Sequence, residues 1–487
     1  MKIYMIKIKR MLTALFLCSM VIIGAAQDRL VTYPAPIGAS LANDFTVRVR
    51  QADGDWKNVD TYTVKVDEVR DAKHNVCIAS LCYFDFSGEV EIEVISNMCS
   101  VNIGKIRPLS FGIKPLIAGN TMTFKLTSPR NLSIEVNDDI FHNLHLFANP
   151  IDGNKPKRLK DKNLIYFAPG IHQLPGDTLD IPSGKTVYVA GGAIVRGCIR
   201  AKDCSNVKIL GRGIVHPEGR GAGIETIRSK KVFIDGLITT QCPTGGSDSV
   251  TIHNVKAISS YGWGDGMNVF ASSNVMLDGV FCRNSDDCTT VYATRMGFVG
   301  GSKNITMQNS TLWADVAHPI FIGIHGNAEK VDTIQNVKYM NIDILDHKEK
   351  QLDYQGCMAI NGGDNNVIKN ITFENIRIEN FREGQLVNLR IFYNEKYCTA
   401  PGKSIENILF KDIEYNGDRA NISMIIGYDK ERMVRNIRFE NLKINGEYIY
   451  DDMPGKPKWY KTGDMCRIFV GEHTEDITFT FRPPASR

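Results

Sequence analysis

No long block of like charge and no low-complexity tract interrupts this sequence. Its 58 basic and 54 acidic residues leave a formal +4, and Lys2, Lys7, Lys9 and Arg10 account for all of it. Beyond residue 26 the balance is 54 against 54, so no nucleic-acid partner is expected, since such binding depends on clustered Lys and Arg. The twelve cysteines include no Cys-x-x-Cys pair, which removes the usual zinc-site spacing and a dense disulfide scaffold. Most read as small buried hydrophobes, although the six-residue spacings Cys198/Cys204 and Cys282/Cys288 permit two bridges. Also missing, from about Leu164 onward, is any sustained 3.6-residue apolar period; amphipathic helices are not expected there.

The basic start, the apolar run Met11 to Ile23 and Gly24-Ala25-Ala26 follow the order of a secretory signal peptide over residues 1–26. The run is shorter than the ~20 residues of a membrane span. An exported chain, periplasmic or extracellular and without a membrane span, is the expectation. About 460 residues then remain, which suit a small domain plus a solenoid.

Residues 27–152 show period-two alternation in short runs, among them Phe45-Thr46-Val47-Arg48-Val49-Arg50 and Val90-Glu91-Ile92-Glu93-Val94. Turn signals separate the runs, which predicts an antiparallel β-sandwich packed against the first coils of the downstream solenoid and capping their open edge. Residues 160–487 instead repeat a short unit. Asn206-Val207-Lys208-Ile209, Asn274-Val275-Met276-Leu277, Asn304-Ile305-Thr306-Met307, Asn370-Ile371-Thr372-Phe373, Asn407-Ile408-Leu409-Phe410 and Asn436-Ile437-Arg438-Phe439 are copies of it. The later copies recur every ~25 to 40 residues, as a solenoid with variable loops would give. The leading Asn tolerates the left-handed turn conformation. Leu at fixed positions and a helical half-repeat are wanting, so a leucine-rich repeat is excluded. The fold class is all-β: an N-terminal β-sandwich followed by a right-handed parallel β-helix.

Within the repeats Gly264-Asp265-Gly266 precedes Ser285-Asp286-Asp287-Cys288, with Asp286 21 positions beyond Asp265. That is about one coil, and adjacent coils lie ~4.8 Å apart, so three carboxylates can converge. Asp286 and Asp287 can cooperate only if the chain bends, because neighbours in a strand face opposite sides. Converging carboxylates are the equipment of glycoside hydrolysis. Three of them cannot all ionise cheaply, and one retained proton makes a general acid. Trp263, Tyr292, His318 and His325 fall in the same coils, the first two suited to stacking on a sugar ring. No cofactor is needed, and the His/Asp spacing forms no recognisable metal-ligand set.

Gly264-Asp265-Gly266, Ser285-Asp286-Asp287-Cys288 and His318-Pro319-Ile320-Phe321-Ile322-Gly323 resemble the ordered motifs of the right-handed β-helix glycoside hydrolases. That clan contains the polygalacturonase family and the dextranase/isopullulanase family. Cys288 after the Asp pair is more like the polygalacturonase form. The two-domain layout and Lys185-Thr186-Val187-Tyr188-Val189-Ala190-Gly191-Gly192 are more like the dextranase form. The resemblance implies an inverting single displacement, with Asp286 as general acid and Asp265 and Asp287 holding the attacking water. It places His318 near the acid pair, where it can hydrogen-bond a carboxylate or a sugar hydroxyl, with His325 in reserve. The Arg-Ile-Lys motif by which polygalacturonases hold a substrate carboxylate has its nearest match in Arg390-Ile391-Phe392, where Phe replaces Lys.

Catalytic Asp286, Asp265 and Asp287 and substrate-binding His318, Trp263, Tyr292, His325 and Arg390 are thus expected. The partner is a polysaccharide or oligosaccharide. Phe392 and the absent net positive charge favour a neutral, dextran-like α-glucan, with a polygalacturonase-type pectin hydrolase as the alternative. A calcium-dependent lyase and a non-catalytic glycan-binding β-helix are the competing classes.

Overall fold

The computed structural model describes residues 29–52, 54–70 and 73–482. The expected signal peptide lies outside them. Two sheets form the N-terminal unit. One has six strands, Arg29–Thr32, Tyr62–Arg70, Lys73–Ser87, Gly104–Arg107, Arg130–Val136 and Asp139–Pro150; the other is five-stranded around Phe45–Arg50 and Val90–Ser96. Alternation sets the core: Val90, Ile92 and Val94 are buried and meet Phe84, Leu132 and Leu146 from the facing sheet. The pairing is antiparallel except that Asp139–Pro150 runs parallel to Lys73–Ser87.

From Leu164 to Thr480 the chain winds into one 29-stranded, almost wholly parallel sheet, a parallel β-helix. One repeat position stacks through the whole solenoid: Ile209, Ile234, Ile252, Leu277, Met307, Tyr339, Phe373, Phe410, Phe439 and Phe479 are successive register partners. The last four rings stack with centroids 4.7–4.8 Å apart, the inter-coil spacing itself. The leading asparagines form a second ladder. Asn274, Asn304, Asn336, Asn370, Asn407 and Asn436 all have φ of 51–58°. Each side-chain amide donates to the Asn one coil earlier, at 2.6–3.3 Å from Asn304 through Asn436. Asn recurs because it accepts the left-handed backbone and satisfies itself by stacking.

The sandwich does not cap the open edge of the first coils. It lies along the flank of the solenoid. Tyr62, Leu81, Tyr83 and Phe147 pack on Ile194, Ile238, Ile258 and Phe281, which belong to successive coils. Buried charges pin it: Arg212 Nε lies 3.1 Å from the Asp85 carboxylate, Arg107 Nε 2.6 Å from Glu379, and Arg283 Nη1 2.7 Å from Asn143. Asp235, at the end of the strand Lys230–Asp235, joins this network, 3.7 Å from Arg212 and 2.5 Å from His253. Cys198, Cys204, Cys282 and Cys288 are free thiols, so neither six-residue pair is a bridge; eight of the cysteines among the described residues are buried. No helix among the described residues is long and apolar enough to cross a membrane.

Candidate active site

Asp286 and Asp287 fall in a bend between strands Phe281–Asn284 and Thr290–Tyr292, and that bend frees them from strand alternation. The Asp287 N–H donates to Asp286 Oδ1 at 3.0 Å, closing the bend. One coil earlier, Asp265 is delivered by two glycines that the contact between coils requires. A Cβ on Gly264 would stand 2.3 Å from Ser285 Oγ, and one on Gly266 2.3 Å from the Cys288 carbonyl oxygen. Backbone bonds from Gly266 N to Asp287 O and from Met267 N to Cys288 O, 2.9 and 2.8 Å, lock the two segments together. One carboxylate oxygen each from Asp265, Asp286 and Asp287 therefore lies within 4.8 Å of the others.

Crowding sets the protonation. Burial first, then the Asp287 charge, raises the Asp265 pKa to about 7, and the Asn268 hydrogen bond and, more weakly, the Arg295 guanidinium offset part of that rise. Burial followed by the charges of Asp265 and Asp287 drives the Asp286 pKa well above the ordinary 3.8. Asp287 is the best-served carboxylate. It accepts from the His318 N–H at 3.1 Å, from His318 Nδ1 at 2.6 Å and from the Tyr292 hydroxyl at 3.2 Å.

His318 was expected to meet a carboxylate or a sugar hydroxyl, and the structure shows the carboxylate contact, with the ring shielded from solvent. It is fully buried, and both ring nitrogens are engaged: Nδ1 by Asp287, Nε2 by the Tyr354 carbonyl. Burial alone would lower its pKa, but the Asp287 charge and hydrogen bond outweigh it and raise the value. Two acceptors require two N–H donors, the imidazolium form. Tyr292 is not open to stack on a sugar either. Its ring is buried among Phe270, Phe321 and His325, and only its hydroxyl serves the site.

Trp263 is exposed. It ends the run Tyr261, Gly262, Trp263, with φ of 64°, 47° and 53°, a left-handed stretch that costs ~1–2 kcal/mol for each non-glycine residue. His325 is nearly buried, with its pKa lowered to about 4 by burial and by Arg295, and it lines a cavity of about 280 Å³ with Arg295, Asp364, Lys396 and Tyr397. Arg390 sits two coils beyond Gly323, through Asn361, and donates to Asp353 Oδ1 at 2.7 Å. Its guanidinium lies 5.0 Å from the Phe392 ring.

Other groups at the site escape a reading of repeats. Glu349, nearly buried, has its pKa raised by burial despite the nearby His318 charge. Arg295 and Lys396 come from loops that interrupt the repeat, and Arg220 from the loop 217–223 on an earlier coil. Each stands outside the repeated unit, so no periodicity announces it.

Residues 240–453, which contain every expected site residue, match the family model "Glycosyl hydrolases family 28". The chain is similar to "Probable exopolygalacturonase X" of Aspergillus flavus, 26% identical over 166 residues, 31% of this chain and 35% of that protein. It is also similar to "Exopolygalacturonase X" of Aspergillus niger, 24% identical over 337 residues, 64% of this chain and 68% of that one. The first alignment thus spans about a third of its relative's length. Among solved structures, Dex49A from Penicillium minioluteum superposes with a TM-score of 0.59 at 12% identity, over 92% of this chain and 96% of that one. At that identity the likeness is one of fold. The fold is the parallel β-helix that the clan of glycoside hydrolases shares, and residues 240–453 are similar to a glycoside hydrolase family of that clan. Within the clan, the family match and both relatives fall on the polygalacturonase side rather than the dextran-cleaving side that Phe392 and the neutral charge balance favour.

Proposed function

We propose that this protein is an exported, inverting glycoside hydrolase of the polygalacturonase type, acting on α-linked glycans that contain uronic acid. Asp286 is the general acid: its proton is retained by burial and two neighbouring charges, and it is given to the glycosidic oxygen as the bond breaks. Asp265 and Asp287 hold the attacking water, and Asp265 takes its proton. His318 and Tyr292 keep Asp287 fixed from beneath. Inversion rests on the family resemblance, since carboxylate oxygens within 4.8 Å are closer than the ~6.5–9.5 Å usual for inverting pairs.

The observation that carries the acidic substrate is Arg295. It lines the cavity beside His325, acts electrostatically on Asp265 and His325, and makes no ion pair among the described residues. A uronate ring beside three carboxyls needs such a cation, because an uncompensated buried charge is costly. Arg295 and Lys396 line one cavity and supply from loops what the Phe392 position lacks. Release of reducing ends from polygalacturonic acid, dextran and pullulan, each at low and moderate salt, tests this. Preferential, salt-sensitive cleavage of polygalacturonic acid is expected. Preferential cleavage of dextran would reject the uronate reading and leave the acid assignment standing.

A further inference from the structure

The left-handed turn at Tyr261–Trp263 is held from the other domain. Asp67, on the sandwich strand Tyr62–Arg70, is fully buried, and its Oδ2 accepts from the Tyr261 N–H at 3.0 Å and meets His74 Nδ1 at 2.5 Å. On the solenoid side Gln241 Nε2 donates to the Trp263 carbonyl at 3.1 Å, and the Ser259 hydroxyl donates to the Gly264 carbonyl. Three consecutive residues with positive φ do not persist unless their surroundings impose them. The result is an exposed Tyr261 and an exposed Trp263, 46% and 77% accessible, the second of them two residues before Asp265. Arg220 lies against both rings, its Cζ 4.2 Å from the Tyr261 centroid and 5.7 Å from that of Trp263. Among the described residues Arg220 forms no ion pair.

An exposed indole face beside a guanidinium is chemically matched to one ligand class, a pyranose ring that carries a carboxylate. The indole takes the apolar face of the ring, and the planar guanidinium takes the carboxylate through paired donors. We infer that the N-terminal sandwich is part of the substrate site: through Asp67 it fixes the turn that presents Arg220 and Trp263 as a uronate subsite next to Asp265. Asp67 is then a positioning residue, and Arg220 and Trp263 touch the sugar. The carboxylate half of this inference rests on the proposed uronic-acid substrate; the domain-borne platform does not.

Binding is measured in the full-length Asp286→Asn protein, so that no polymer is consumed, by affinity electrophoresis through gels containing polygalacturonic acid or dextran. Trp263→Ala should cut retardation by polygalacturonic acid ten-fold or more, Arg220→Gln about as much, and Asp67→Asn about five-fold. Adding Asp67→Asn to Trp263→Ala should cost clearly less than the five-fold it costs alone, because Asp67 acts only through the platform of which Trp263 is a part. Amide hydrogen exchange without any glycan should show faster exchange at 259–264 in Asp67→Asn and an unchanged rate in distant coils. Retardation by dextran alone, lost on Trp263→Ala and Asp67→Asn, would keep the platform and reject the uronate substrate. Unchanged retardation in every variant, none in the parent protein, a full additional loss in the double variant, or unaltered exchange at 259–264 would overturn the inference.

Discussion

Replacing Asp265 by Asn is expected to stabilise the folded protein at neutral and alkaline pH while abolishing its activity. Burial, then the Asp287 charge, raises the Asp265 pKa from 3.8 to about 7. The folded chain therefore binds this proton more tightly than the unfolded chain does. Its stabilising contribution is complete below about pH 4 and is lost as pH rises through about 7. At 1.36 kcal/mol per pH unit, a rise from 3.8 to about 7 sets a ceiling of about 4 kcal/mol. Sharing of protons with Asp286 and Asp287, and water in the open cleft, bring the expected figure to ~1–2 kcal/mol. An unfolding entropy of ~2.1 cal/mol/K per residue over roughly 450 residues converts 1 kcal/mol into ~1 °C. Asp265→Asn should then melt ~1–2 °C above the wild type at pH 8 and match it at about pH 4. Calorimetry at both pH values, with a reducing-end assay on the same samples, provides the check. Equal melting at pH 8, or a gain as large at pH 4, would refute the crowding argument.

Asp286→Asn should leave the fold intact and reduce turnover at least by the ~10²–10⁴-fold typical of a lost acid–base group, with circular dichroism as the control. His318→Gln should lower kcat by ~10–100-fold with little change in KM, because His318 orients Asp287 and is shielded from the sugar; a KM effect without a kcat effect would contradict this. Arg212→Ala leaves Asp85 buried without its cation and should cost ~3–5 kcal/mol in urea denaturation, against ~0–1 kcal/mol for Arg228→Ala in its exposed pair with Asp203. Proton NMR of the first-formed anomer should show inversion; retention would assign Asp265 or Asp287 as a nucleophile.

The repeated unit was legible because each copy faces the same constraints. Asn at a left-handed turn and an apolar residue three positions on recur since every coil stacks on its neighbour at one spacing, as the ladder from Ile209 to Phe479 shows. The acid cluster was legible for the same reason: Gly264 and Gly266 admit only a close approach to the next coil, and a coil-length separation brings Asp265 to Asp286. Local periodicity also marked the sandwich strands, Val90–Ser96 among them.

Where those strands would dock was a different matter. Their alternation defines which side chains are apolar, yet both a cap and a flank bury them. The flank is selected by pairs such as Asp85 with Arg212 and Arg107 with Glu379, separated by 127 and 272 residues. Burial of His318 likewise depends on the Tyr354 carbonyl and on Phe321 packed against its ring, not on its own neighbours in the chain. The cations of the cleft show the limit most plainly. Arg390 could be found because it belongs to a motif, whereas Arg295, Lys396 and Arg220 sit in loops whose course no repeat dictates. The sequence by itself determined the solenoid, its internal ladders and the meeting of three carboxyls, since those arise from identical short-range constraints repeated coil after coil. Tertiary structure alone decided which charges surround the acids, which histidine is hidden and that the sandwich meets the Tyr261–Trp263 turn, because each depends on contacts between segments that share no period.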